Sequence, residues 1–287
     1  MSGDKIKNVK IILNIIFNDN ITDNILIKYW ELLPKRKILL HWIDIDKLSW
    51  DNLACNPNAI ELLKLNFDKI NWEYLSFNIN AIELLTANQD KINWTNLSKN
   101  YNAIQLLTEN KHKINWTKLS YNGNAIELLT ENKHKINWQI LSYNPHAIDL
   151  LKDNLDKICW ELLSFNENAI ELLKENKNKI SWPDISCNNK ALEILIANED
   201  KIRWDYLSCN ENAITLLIEN KDKINWNILS GNPNAIQLLT ENKDNIDWVE
   251  LSSNENAIEL FKNNLDKIDW CIISQNPSIF IDEYIPI

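Results

Sequence analysis

The chain has 287 residues, 45% of them hydrophobic, with a net charge of -10 and a pI near 5.0. That is enough apolar material for a continuous core, and the wrong sign for a surface that neutralises phosphates, so a nucleic-acid role is set aside. Five cysteines beside only three glycines do not form the staple framework of a small secreted domain, and the expected setting is reducing.

From the N-terminus, the apolar stretch Val9 to Phe17 is interrupted by Lys10 and Asn14 and followed by Asn18, Asp19 and Asn20. It is too short to span a bilayer and lacks the unbroken core and small-residue cleavage site of a signal peptide. The expectation is a soluble intracellular protein with no membrane partner. Residues 1 to 49 share the later pattern only loosely. Asp46-Lys47-Leu48-Ser49 leads into Trp50 as a unit end does, while Trp30 and Trp42 are out of register. They are read as a helical N-terminal cap, which an array needs where its first unit has no neighbour.

Residues 50 to 277 are a tandem array. Trp50, Trp72, Trp94, Trp116, Trp138, Trp160, Trp182, Trp204, Trp226, Trp248 and Trp270 follow one another at 22-residue steps without a slip. Counted from that Trp, the unit reads W-x-x-L-S-x-N-x-x-A-I-x-L-L-x-x-N-x-x-K-I-x. The residue before each Trp is usually Ser, Asn or Asp, a helix N-cap, so a short helix starts at the Trp, and Ile70 or Ile92 before the cap can staple onto Leu75 or Leu97. The seventh residue is Asn in all eleven units, followed by Pro at Pro57, Pro145, Pro233 and Pro277, again a helix start. Ala, Ile, Leu and Leu then fall on one helical arc, as in Ala81, Ile82, Leu84 and Leu85. A second Asn, such as Asn66, Asn88 or Asn110, is expected to end this longer helix in the left-handed conformation. The fold class is therefore all-α: an α-solenoid of about eleven two-helix repeats with caps at both ends, a rod or superhelix on the order of 100 Å long if axes stack at ~8 to 10 Å. The rival reading makes the Ile-x-Trp step a short strand in a leucine-rich-repeat-like horseshoe.

The columns assign roles. The Trp column is read as core, each indole N–H seeking a corner carbonyl. Acidic residues at the twelfth position, from Glu61 to Glu259, form a solvated stripe with partners such as Lys64. Equivalent carboxylates offer no asymmetric constellation for catalysis. His112 and His134 are surface replacements one unit apart, and Cys187 and Cys209 are free thiols in equivalent places, so no catalytic residue, cofactor or metal site is expected. Recognition belongs to the columns that vary. The sixth position carries Phe77, Tyr121, Tyr143 and Phe165, a candidate protein-binding ridge along units two to six, although a hydrophobic staple at this position would also favour an aromatic. After Pro277 the pattern departs, and residues 278 to 287 form an apolar cap or tail. It either seals the last unit or, through Phe280, Ile281, Tyr284 and Ile285, joins two chains as a homodimer.

The wording L-S-x-N-P-N-A-I-x-L-L-x-x-N-x-D-K-I-N-W, most literal at Leu53 to Trp72 and Leu229 to Asp247, resembles the repeats expanded in giant DNA viruses of the mimivirus and megavirus group. The resemblance covers about residues 44 to 278; it implies a repeat protein of host interaction and no catalytic residue. The chain departs from the pattern at Trp182-Pro183 and at Asn189-Lys190-Ala191-Leu192. The resulting expectation is a non-enzymatic module that binds or scaffolds a host or viral protein in infected-cell cytoplasm. The alternative is a self-assembling structural protein, homodimeric or virion-associated, and a reader of single-stranded RNA is set aside on charge.

Overall fold

The computed structural model describes residues 35–284, and within them Leu39–Phe280 form one compact unit. This unit is an all-α solenoid of repeats built on one plan, which differ in that the second helix opens with a 3-10 turn in units three, four, six, nine and ten and with an ordinary turn in units one, two, five, seven and eight. The cap side chain accepts backbone N–H bonds, as Asn71 does from Glu73 and Tyr74, and starts a one-turn helix such as Trp72–Leu75 or Trp94–Leu97. A capped helix, not a strand, thus occupies the Trp step. The longer second helix is divided: Asn100 accepts the Asn102 N–H and starts a 3-10 turn, Tyr101–Ala103, which gives way to the α-helix Ile104–Glu109. A further 3-10 turn, Lys111–Lys113, leads to Ile114 and the next cap. Pro183 lies in the first turn of its helix, where a missing N–H costs no bond.

The second Asn ends its helix by a different device from the left-handed backbone expected of it. Asn110 has φ -124° and ψ 45°, and its side-chain Nδ2 donates to the Leu106 carbonyl at 3.0 Å. A side-chain donor thus satisfies one of the orphan carbonyls of the last turn, and the backbone avoids the steric cost of positive φ.

Packing follows from three columns with no exposed surface, represented by Leu97, Ala103 and Leu107. Units are also bonded to one another through two buried polar columns. The seventh-position Asn donates through Nδ2 to two carbonyls of the preceding unit, as Asn100 does to Ser76 (3.3 Å) and Asn78 (2.8 Å). The fifth-position Ser donates to its own Trp carbonyl and accepts from the next cap's N–H, as Ser98 does with Trp94 (2.7 Å) and Asn115 (3.0 Å). Buried polar groups are tolerated because each finds its partners.

These same bonds close the array on itself. Asn56 in the first unit donates to the carbonyls of Ser274 and Asn276 in the last, both at 3.0 Å. The Ser49 N–H donates to Ser274 Oγ at 2.9 Å, Asn58 donates to the Pro277 carbonyl at 2.9 Å, and Lys47 Nζ lies 5.0 Å above the Trp270 ring. Each pair joins the unit positions that its counterparts join between sequence neighbours. The eleventh unit is composite: Trp270–Ile273 and Pro277–Ile279 supply its start, and the turn Ile45–Lys47 with the cap Ser49 supplies its end. Leu39–Phe280 is therefore a closed ring of eleven units, not the open rod expected from the sequence. Its first and last repeats cover each other, so neither needs a separate cap. Most of the segment assigned to an N-terminal cap lies outside the described residues.

Sixth-position aromatic rings, at or just after the ends of the Trp helices, step by 6.0 to 6.4 Å between units.

One unit lacks a bond that the other ten make. Ala54 stands at the fifth position, and no hydroxyl reaches the Asn71 N–H. Ala54→Ser is expected to add both serine bonds and raise stability by about 1 kcal/mol, read as a higher urea midpoint at unchanged slope.

At the described ends of the chain, Lys35–Leu39 and Phe280–Tyr284 pair as strands β1 and β2. Residues 35–39 are thus extended rather than helical. The reason is charge pairing across the strands: Arg36 meets Glu283 at 2.6 Å, Lys37 meets Asp282 at 2.9 Å, and Lys35 lies 5.0 Å from the Tyr284 ring centroid.

Candidate functional site

The sixth position follows the buried Ser and precedes the buried Asn, so its side chain leaves the helix where the backbone is held on both sides. Tyr121 and Tyr143 meet edge to face with centroids 6.0 Å apart, and Tyr143 and Phe165 do the same at 6.4 Å. Lys99 bridges the remaining gap, its Nζ 4.9 Å from the Tyr121 ring and 5.9 Å from that of Phe77. The four predicted aromatics therefore form one row across five consecutive units, with Lys99 as a member that a search for aromatics passes over. Tyr143 is the most open, at 46% exposure, while Phe77, Tyr121 and Phe165 are half-buried. The row offers ring edges, one ammonium and the Tyr hydroxyls: a surface for apolar and hydrogen-bonding contact.

Next along the same column, Cys187 and Cys209 place their Sγ atoms 2.6 Å apart, at 3.3 and 3.0 Å from the Tyr206 carbonyl. The hydrogen bond shared with the Cys187 sulfur holds the pKa of Cys209 below the ordinary thiol value, despite its burial. The same bond, then burial, then the nearby Cys209 charge push Cys187 upward. The two sulfurs titrate as a unit, with Cys209 ionising first. Among the described residues no group of three His, Cys, Asp or Glu side chains is arranged to hold a metal ion. His112 and His134 are exposed.

The Trp column differs in detail from its expected role. Its indoles are half-buried and pack against the core, yet no indole N–H of the column bonds a corner carbonyl. The polar contact is made by the ring face instead. In ten of the eleven units a Lys at the twentieth position lies over the unit's own Trp, as Lys69 over Trp50 at 4.4 Å and Lys223 over Trp204 at 4.2 Å. This ladder is visible in the sequence as the recurrent Lys, but its target is not, because residues nineteen apart become neighbours only once the chain has turned through two helices.

Of the residues proposed for self-association, Phe280 is 5% exposed and belongs to the core, Ile281 is exposed, Tyr284 is half-buried, and Ile285 lies outside the described residues. The acidic stripe pairs locally, with Lys64 meeting Glu61 at 2.9 Å and Lys262 meeting Glu259 at 2.7 Å. No helix among the described residues is long and apolar enough to cross a membrane. No family model matches the chain, and neither a curated protein nor a solved structure does.

Proposed function

We propose that the ring is a non-enzymatic interaction module that presents the row Phe77, Lys99, Tyr121, Tyr143 and Phe165 to a protein partner. The observation that supports it is the division of labour between columns. Leu, Ala, Ser and Asn positions recur and carry the ring, whereas the sixth position varies and yet joins into one contiguous surface. Clustered aromatics with an adjacent cation are the side chains that dominate protein–protein interfaces. The repeat wording favours a giant-virus protein and a host or viral partner in infected cytoplasm. Head-to-tail self-assembly is the weaker reading, since closure leaves no unpaired repeat face at either end of the array.

The test compares the ring with its Tyr121→Ser, Tyr143→Ser variant in quantitative affinity capture from host lysate. A partner retained by the ring is expected to fall at least tenfold with the double variant, about 1.4 kcal/mol or more of binding, at an unchanged thermal midpoint. Equal recovery on both rings overturns the assignment.

A further inference from the structure

Ten of the eleven Trp rings carry an ammonium group over one face, at 4.2 to 5.0 Å from the centroid. Trp226 is the exception. The residue due to cover it is Asn245, the one twentieth-position residue that is not Lys. An open surface depression of about 660 Å³ lies at this place, lined by Trp226, Asn245, Asp222, Asp244, Asp247 and Lys223. Ile246 beside it is half-exposed, although its counterparts Ile224 and Ile268 are buried.

We propose that this depression binds an alkylammonium group, the lysine-type cation that the ring supplies to itself everywhere else. Ten internal copies show what the indole face accepts, through the attraction of a cation to the ring quadrupole. The local charge favours the same ligand. Among the described residues Asp222 and Asp244 are in no ion pair, and Asp247 uses Oδ1 to accept the N–H groups of Val249 and Glu250. The depression's own cation is engaged, since Lys223 lies over Trp204 and donates to Asn220 Oδ1 at 3.0 Å. The site stands in unit nine and shares no residue with the aromatic row, so either proposal can fail without the other.

The test is a titration of the full chain followed by the indole N–H resonance of Trp226, assigned with Trp226→Phe. Probes are Nα-acetyl-lysine amide, standing for a protein lysine, 1,5-diaminopentane, standing for a free amine, and Nα-acetyl-norleucine amide as the uncharged analogue. Both amines are expected to move the Trp226 resonance, and the tighter of the two identifies the source. The norleucine analogue is expected to bind at least tenfold more weakly. Asn245→Lys, which restores the arrangement of the ten sister units, is expected to abolish the shift, while Asn245→Gln retains it. A shift that persists in Asn245→Lys, equal binding of the uncharged analogue, or no response of Trp226 to either amine overturns the proposal.

Discussion

Replacing Asn144 by Ala is expected to destabilise the protein by roughly 3 to 5 kcal/mol, seen as a large fall in the urea midpoint. Asn144 has no exposed surface, and its Nδ2 donates to the carbonyls of Ser120 and Asn122, both at 3.1 Å, while Oδ1 accepts the His146 N–H at 3.0 Å. Alanine leaves the buried Ser120 carbonyl and the His146 N–H without partners and removes one of the two bonds to the Asn122 carbonyl, which keeps the Ala125 N–H at 3.0 Å, at about 1–3 kcal/mol for each lost partner before relaxation. Asn144→Asp is expected to be worse at neutral pH, although it is the closer match in shape. A carboxylate cannot donate, and it would face two carbonyl oxygens in a buried position. Its pKa would be raised in the folded state relative to the unfolded one, so the folded state binds the proton more tightly. Stability of that variant should therefore recover as pH falls through the raised value and be lost as pH rises, opposite to an ordinary paired carboxylate. An Asn144→Asp protein as stable as the parent at neutral pH would show that Nδ2 donation does not hold the units together.

The same change at the seam is expected to cost as much. Asn56 donates to Ser274 and Asn276 at 3.0 Å and accepts the Asn58 N–H at 3.0 Å, reproducing the environment of Asn144 with residues from the far end of the array. Asn56→Ala should accordingly lower stability by roughly 3 to 5 kcal/mol. In an open solenoid the first unit's Asn would meet solvent, and its loss would remove little more than a helix cap, about 1 kcal/mol. Comparing the two alanine variants by urea denaturation separates the cases. Equal losses mark a closed ring in solution, and a loss at Asn56 near the capping value would mean that the seam is open.

The unit itself is legible from sequence because period, caps and core columns constrain one another. A Trp after Asn or Ser, a Leu three residues on, and an Ala-Ile-x-Leu-Leu run have few arrangements that bury all four columns. The candidate row is legible for a related reason: equivalent positions in adjacent repeats must be neighbours, so Tyr121, Tyr143 and Phe165 meet once the units stack. Two features are not readable in this way. The ending of the second helix turns on whether Asn110 supplies a backbone conformation or a side-chain donor, and both suit Asn. Closure depends on the small angle between successive units, a quantity that no single unit reveals but that accumulates eleven times. Asp46-Lys47-Leu48-Ser49 before the first Trp, and the halt of the pattern after Pro277, are two halves of one repeat. Their complementarity becomes apparent only when the ends are brought together.

Completion of the last repeat from both ends also fixes the copy number. An open array gains or loses a module by lengthening or shortening, with every remaining joint unchanged. Here each joint turns through one-eleventh of a circle, so duplication or deletion of a single module would oblige all the others to adopt a new angle or leave the seam unsatisfied. Drift in this gene should therefore show as substitution within modules far more often than as change in their number.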